Sequence, residues 1–424
     1  MTAVVRGHIR FSQQAPDGFE SQIQASQAFA SHARVLAMRS IDEPSLQRIQ
    51  VLLMLTGHSW GAGEGKRAWI YLGMAVRMAQ VTEVLDAAAI DAASGGDFVA
   101  AEERRRTAWT CFLMDSLLSG GRGRRRLLAA EMMNIPLPCG PDNFMFGEPV
   151  VCERLDGSRP GTSASNGQRQ GHLGIIAYSM RVADIWGEVA SWACSSHEAD
   201  APPWQQQSQF QRLIGRLAAW QSSLPSRLRY SERILRAHAT LHQGQAYCYM
   251  HSIYFMSVMF LYRSYLPEVE MQQHQKRRQQ ISRSDEDGGE GSEDDWARWS
   301  TRSSKELARV ADQVCDMLRE MRDFGLSFLR GLVPWIGFTI YTGVGTLLYF
   351  VHYPNDGDGT EQVEARRQRI IDGCILLKDM SQSWSMAKTW VSGLSKRIEG
   401  ESTKLMIYTR ERRLMVCISF TATS

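Results

Sequence analysis

Residues 57 to 61, Gly-His-Ser-Trp-Gly, satisfy Gly-x-Ser-x-Gly. In serine hydrolases that pattern forms a strained strand-to-helix turn that exposes a nucleophilic hydroxyl. The chemistry further needs a histidine base, an acid to orient it and backbone donors for an oxyanion. Nothing distinguishes His352, in VHYPND, from the other nine histidines, and no HGGG-like stretch supplies the donors. A second glycine-rich run, GAGEGKRA, contains the Gly65-Lys66 pair of a phosphate-binding loop. Trp60 stands where that loop's first glycine belongs, however, and Arg67 where Ser or Thr is required. GGRGRRR, residues 120 to 126, offers four arginines to a phosphate or an acidic partner, but no aromatic side chain interleaves with them for base stacking. The eight cysteines include no pair closer than thirteen positions, and no His-Glu-x-x-His occurs, so no zinc site can be assembled locally. No catalytic, cofactor-binding or metal-binding residue is expected.

The elements around these residues argue the same way. The chain has 424 residues, of which 44% are hydrophobic and 22% charged, and a formal net charge of +3. That is room for a large core and too little basic charge to imply nucleic-acid binding by itself. The first residues, MTAVVRGHIRFSQQ, form no apolar stretch of signal-peptide type, so an intracellular protein with reduced thiols is expected. Leu46, Ile49, Leu53 and Thr56 recur at helical spacing just before the pentapeptide, and Trp69, Leu72, Val76 and Ala79 repeat it just after. An elbow would need a strand there. The spacing predicts two helices with Ser59 as a loop hydroxyl between them, its flanking glycines serving the turn. AEERRRTAWTCFLMDSLLSG predicts another helix, and further ones are expected around 174–198, 205–222, 232–265, 302–324 and 362–392. Alternation of the strand type is scarce. The expectation is an all-α, multi-helical single large domain.

Three stretches interrupt it. Residues 1–40 are expected to be a poorly ordered N-terminal segment. Residues 153–171 are rich in Gly, Ser, Asn and Pro and read as a loop. Residues 270–300 begin basic and turn acidic with few apolar side chains, the composition of a disordered linker, with Lys276–Arg278 too short to mark nuclear import. Residues 331–351 run without a charge for the length of a membrane span, but they include Pro334, four glycines and three threonines. A helix buried on all sides has the same appearance.

Taken together, residues 45–138 resemble the fungal-specific transcription factor domain, the middle homology region of binuclear zinc-cluster regulators. SLQRIQVLLMLTGHSWGAGEGKRAWIYLGMAVRMAQ, EERRRTAWTCFLMDSLLSG and NIPLP fall in the family's order. Trp69, Gly73, Ala75, Arg77 and Ala79 match its aromatic-led helix. Glu102, Glu103, Arg104, Arg105, Arg106, Trp109, Asp115, Gly123, Arg124 and Pro136-Leu137-Pro138 match the segment that follows. The chain departs from the pattern after VRMAQ, where VTEVLDAAAIDA replaces the usual Gly-Leu-His-Arg step, and after Gly123-Arg124. The six closely spaced cysteines of the zinc cluster are missing, which suggests an N-terminally truncated chain or a regulator that lost its DNA-binding module.

The resemblance implies a non-enzymatic, nuclear transcription regulator acting on an RNA polymerase II gene set, catabolic or secondary-metabolite. Its partners would be the transcription machinery, coregulators and a homo- or heterodimeric relative, with no membrane involved and no direct DNA contact expected from this chain. Zinc is expected only in the missing cluster of full-length relatives. Physically the matched residues read as structural. Trp69, Leu72 and Val76 would pack one helix face, and Gly73 would permit close helix approach. Glu102 and Glu103 would complement a helix dipole, and Arg105 or Arg106 could pair with Asp115. The alternatives are a serine hydrolase using Ser59 and a single-span membrane protein through 331–351.

Overall fold

A computed structural model describes residues 18–119, 124–159, 169–195, 200–266, 290–325, 328–329 and 331–398. Among them are fourteen α-helices and one minimal parallel strand pair, β1 (Val150–Val151) with β2 (Arg169–Gln170). The expected all-α architecture is what the chain adopts.

Helix α1 (Gln22–Met38) starts at Ser21, whose hydroxyl accepts from Gln24 N at 3.2 Å. Ala30, Ala33 and Ala37 lie three and four residues apart and turn toward the core. The N-terminal segment 1–40 is therefore helical from Gln22, against expectation, because small alanines among Ser and Gln pack without a conspicuous apolar stripe. Helix α2 (Leu46–Gly61) is capped by Ser45 and buries Ile49, Leu52, Leu53 and Leu55. It runs through the whole GHSWG pentapeptide, and the chain turns away two residues later at Gly63, which has φ +84°. Helix α3 (Gly65–Val81) packs along it, burying Leu72 and Val76 as the spacing predicts, with Trp69 half-buried at the edge.

The short α4 (Ala87–Ser94) and the long α5 (Phe98–Leu118) lead into an irregular strap, residues 124–159, that carries the small helix α6 (Pro141–Met145). The loop expected over 153–171 is irregular through residue 159 and pairs as β2 at its end; residues 160–168 lie outside the described residues. Helices α7 (Ile175–Ala193), α8 (Gln209–Ser223), α9 (Glu232–Thr240) and α10 (Gly244–Arg263) follow. The single helix expected over 232–265 is broken at His242, whose φ is +56°. The break is held in place because Gly244 presses its backbone on Ala239 and Phe328, where a Cβ would come within 2.9 Å of the Phe328 ring.

The linker expected over 270–300 is likewise only partly one. Residues 267–289 lie outside the described residues, but α11 runs from Glu290 to Asp323. Its start is held by Trp296 and Trp299, which meet Trp204, Phe210 and Tyr265 with ring centroids 4.9–5.8 Å apart. The charged residues around them mask those two anchors in the sequence.

Helix α12 (Pro334–His352) is the span-like segment, and α10, α11, α13 (Thr360–Met380) and α14 (Ser385–Ile398) surround it. It is the one helix among the described residues long and apolar enough to cross a membrane, and 83% of its apolar window is buried inside the protein. Its glycines are points of close approach: a Cβ on Gly337 would lie 2.5 Å from the Trp390 ring and one on Gly343 3.0 Å from Val314. Between α13 and α14, Trp384 donates its indole N–H to Leu332 O at 2.9 Å and lays its ring against Gly61. One apolar core runs from Ile49 to Leu394.

Candidate functional site

Ser59 is the first residue the geometry decides. It lies inside α2, fully buried, three turns from the helix start and with no strand before it. A nucleophile elbow cannot form on a continuous helix, so both the hydrolase alternative and the expectation of a loop hydroxyl are overturned. Gly61, expected to serve a turn, is instead the seat of Trp384, where a Cβ would come within 1.9 Å of the ring.

The residues matched to the family pattern assemble around α5. Asp97 caps its start, accepting from Val99 N at 2.8 Å and Ala100 N at 3.2 Å. Glu102, one turn further on, is completely buried. Its carboxylate takes Arg106 Nε at 2.9 Å, the Arg105 guanidinium and Cys139 N at 2.9 Å. Arg106 also donates to Cys139 O at 2.8 Å and lies over the Phe144 ring. The expected roles of these residues are thus corrected. Arg105 and Arg106 pair with Glu102 rather than Asp115, and Glu102 is a buried receptor rather than a dipole complement, because the strap folds back over α5 and seals it from water. Exposed Glu103 accepts from Gln50 Nε2 at 2.9 Å.

Asp115 is also fully buried, and its Oδ2 accepts from Leu127 N at 2.7 Å and Leu128 N at 2.8 Å. Burial raises its pKa, and these bonds oppose the rise. Trp109 donates its indole N–H to Pro136 O at 2.7 Å, and Pro138, two residues further on, is buried. Every one of these bonds ties the strap to α5. Arg124 lies over the Trp69 ring at 5.8 Å, and burial lowers its pKa; Gly123 lies outside the described residues. Arg77 is exposed and bonds Gln80. Gly73 has nothing within 4 Å of where a Cβ would stand, so it permits no close helix approach, contrary to expectation. Arg126 continues the set by reaching Asp184 on α7 at 3.2 Å, and Asp184 also takes Arg216 from α8 at 2.8 Å.

With its carboxylates engaged by backbone N–H groups and guanidiniums, this knot holds elements together. Cys111, Cys139, Cys152, Cys248, Cys315 and Cys374 are free, and all but Cys374 are buried. Burial pushes the Cys139 thiol up to about 11 and that of Cys111 to about 12, so neither is a nucleophile near neutral pH. Against the expectation that the sequence holds no pair with local zinc-ligand spacing, His238 and His242 form a His-x-x-x-His, but they do not converge. His238 bonds Arg227 O at 2.9 Å and stacks on Tyr247, while His242 has left the helix.

A feature that sequence reasoning missed is a cleft of about 460 Å³ between the end of α8, the turn at 224–230, α10 and α11. Trp220 and Tyr254 form one wall, stacked with ring centroids 5.3 Å apart and planes 21° apart. Tyr230 and Phe255 form another, edge to face at 5.6 Å. At its floor His251, 2% exposed, places Nε2 at 2.9 Å from Leu228 O. A carbonyl only accepts, so Nε2 carries the hydrogen and Nδ1 is left as an acceptor. Burial lowers the His251 pKa to about 4, which keeps the ring neutral. The charged side chains lining the cleft are Arg229 and Arg309. Arg309 also edges an open groove of about 880 Å³ along α11, where Arg298, Arg302 and Lys305 fall on the same helix face. No local motif marks the cleft, since its parts come from three helices distant in the chain.

The family model described as "Fungal specific transcription factor domain" matches residues 9–222. An uncharacterized transcriptional regulatory protein of Schizosaccharomyces pombe is 29% identical over 409 residues, covering 91% of this chain and 57% of that protein. A second from the same organism is 31% identical over 281 residues, covering 62% and 28%. The Zn(2)-C6 fungal-type transcription factor FTF1c of Fusarium oxysporum f. sp. lycopersici is 27% identical over 310 residues, covering 70% and 31%. The chain thus spans between 28% and 57% of the length of these curated relatives. No solved structure matches it. With a family match over half its length and regulators of transcription among its relatives, the chain belongs to the fungal specific transcription factor domain family.

Proposed function

We propose that the chain is the regulatory part of a nuclear transcription regulator of the fungal zinc-cluster type. It governs an RNA polymerase II gene set, catabolic or secondary-metabolite, through the transcription machinery or coregulators, and leaves DNA contact to another module. The observation that carries this reading is the family match over residues 9–222, together with the printed names of the relatives. The buried carboxylates of Glu102 and Asp115, each bonded across to the strap, suit a rigid body that transmits a signal, and the cleft supplies a place to receive one. Homo- or heterodimerisation with a related regulator belongs to the same proposal.

The test is a fusion of the full chain to a heterologous DNA-binding domain in yeast with a reporter gene behind the cognate sites. Reporter output should differ at least several-fold from that of the DNA-binding domain alone. Equal output from the two, with the fusion present in the nucleus at the same level, would overturn the reading.

A further inference from the structure

We infer that the cleft between α8, α10 and α11 binds a small planar aromatic acid that carries a ring hydroxyl or N–H donor. Three observations converge on that chemistry. The walls are aromatic faces and edges, Trp220 with Tyr254 and Tyr230 with Phe255, which favour a flat π-system over an aliphatic ligand. The floor offers an acceptor: His251 lines the cleft and donates through Nε2 to Leu228 O, which leaves its Nδ1 as the nitrogen that accepts from a donor. The charged groups on the lining are cations, Arg229 and Arg309, with no carboxylate among them. Arg309 shares its Nε and one terminal nitrogen with Glu306, which leaves its other terminal nitrogen for an acid group.

The polarity of the site is therefore ordered. A donor on the ring reaches the deep acceptor while the carboxylate stays at the half-exposed arginine rim. Outward of Arg309 the groove carries Arg298, Arg302 and Lys305 beside the single carboxylate of Glu306, and this excess of cations favours the approach of an anion. A volume of about 460 Å³ lies within the range of small-molecule pockets, roughly 300–1,000 Å³. Because burial keeps His251 neutral down to about pH 4, the acceptor lone pair is present throughout the physiological range.

Binding stands on this geometry alone; that the ligand acts as an effector rests on the regulatory reading above. The test is isothermal titration calorimetry of the full chain with 4-hydroxybenzoate, anthranilate and indole-3-acetate. Benzoate and methyl 4-hydroxybenzoate serve as the ligands lacking the donor and the charge. The expected result is saturable one-to-one binding of at least one of the three acids. Loss of the ring hydroxyl, esterification or the rim substitution Arg309→Gln should each weaken binding at least tenfold. Arg309 is a surface residue of α11, so Arg309→Gln should melt with the parent chain. Trp220→Leu should abolish binding, whereas Trp220→Phe should retain it.

No saturable binding by any of the three acids would overturn the inference, as would equal binding to Arg309→Gln or of the ester. The same acids are then added to the reporter strain. Binding without any reporter response to the chain leaves the site standing and removes the regulatory reading. Reporter regulation without binding does the reverse.

Discussion

Glu102→Ala is the substitution that most directly tests how the strap is held. The carboxylate is completely buried and accepts from Arg105, Arg106 and Cys139 N. Its removal strands two guanidiniums whose side chains are 13% and 21% exposed and leaves a buried backbone N–H without an acceptor. Removing one partner of a buried ion pair costs about 3–5 kcal/mol. The partial exposure of the arginines and the surviving Arg106 bond to Cys139 O place this case near ~3 kcal/mol. With an unfolding entropy of roughly 2.1 cal/mol/K per residue, a chain of 424 residues loses roughly 3 °C in Tm for that change. Glu102→Gln, which keeps an acceptor for Cys139 N, should lose about half as much. Exposed Glu103→Ala should stay within ~0.5 kcal/mol. Thermal unfolding followed by far-UV circular dichroism reads all three. A carboxylate acting only on the helix dipole would contribute about 0.3–1 kcal/mol. A Glu102→Ala loss within that range, equal to that of Glu103→Ala, would refute the buried-receptor argument.

Two glycines of neighbouring helices should respond with opposite sign in the same melting assay. Gly61→Ala drives a Cβ into the Trp384 ring and should cost about 2 kcal/mol, whereas Gly73→Ala meets nothing and should gain about 0.5–1 kcal/mol from helix propensity. A fluorophosphonate probe should leave Ser59 unlabelled. Its buried hydroxyl makes no hydrogen bond, so Ser59→Ala should hold or raise stability by up to ~1 kcal/mol, and covalent labelling at Ser59 would sink that reasoning. The His251 pKa falls from 6.5 to about 4 through burial, so the unfolded chain takes up a proton below pH 6.5 that the folded chain refuses until about pH 4. This stability is present above pH 6.5 and is lost as pH falls through that window, on the order of 3 kcal/mol in total. Denaturant midpoints between pH 4.5 and 7.5 should show that slope in the parent chain and not in His251→Gln.

The parts of the fold legible in the sequence were those in which one helix carries its own pattern. The Leu46-Ile49-Leu53 stripe of α2, the Trp69-Leu72-Val76 stripe of α3 and the uncharged run of α12 each report a buried face by their spacing alone. The misreadings share one cause, dependence on a distant partner. Gly61 looks like a helix terminator until Trp384, more than three hundred residues later, is seen to need the space. Residues 290–300 look like linker because the rings that hold Trp296 and Trp299 come from α8, from the segment before it and from the turn just after α10. The sequence pairs Arg105 or Arg106 with Asp115, but the strap closes over Glu102 and gives Asp115 to Leu127 and Leu128 instead. The cleft is the extreme case, since Trp220, His251 and Arg309 have no mutual spacing to read.

The seat of Trp384 on Gly61 bears on how such chains are dissected. The family model ends at residue 222, a boundary that invites cloning of the matched half by itself. Yet α7 lies on α10, the ring of Trp384 closes the end of α2, and one core runs through to Leu394. A fragment ending at 222 would expose the apolar face of α7 and the bare backbone at Gly61. Its behaviour in an activation or interaction screen would then report the stickiness of an opened core rather than the action of the regulator.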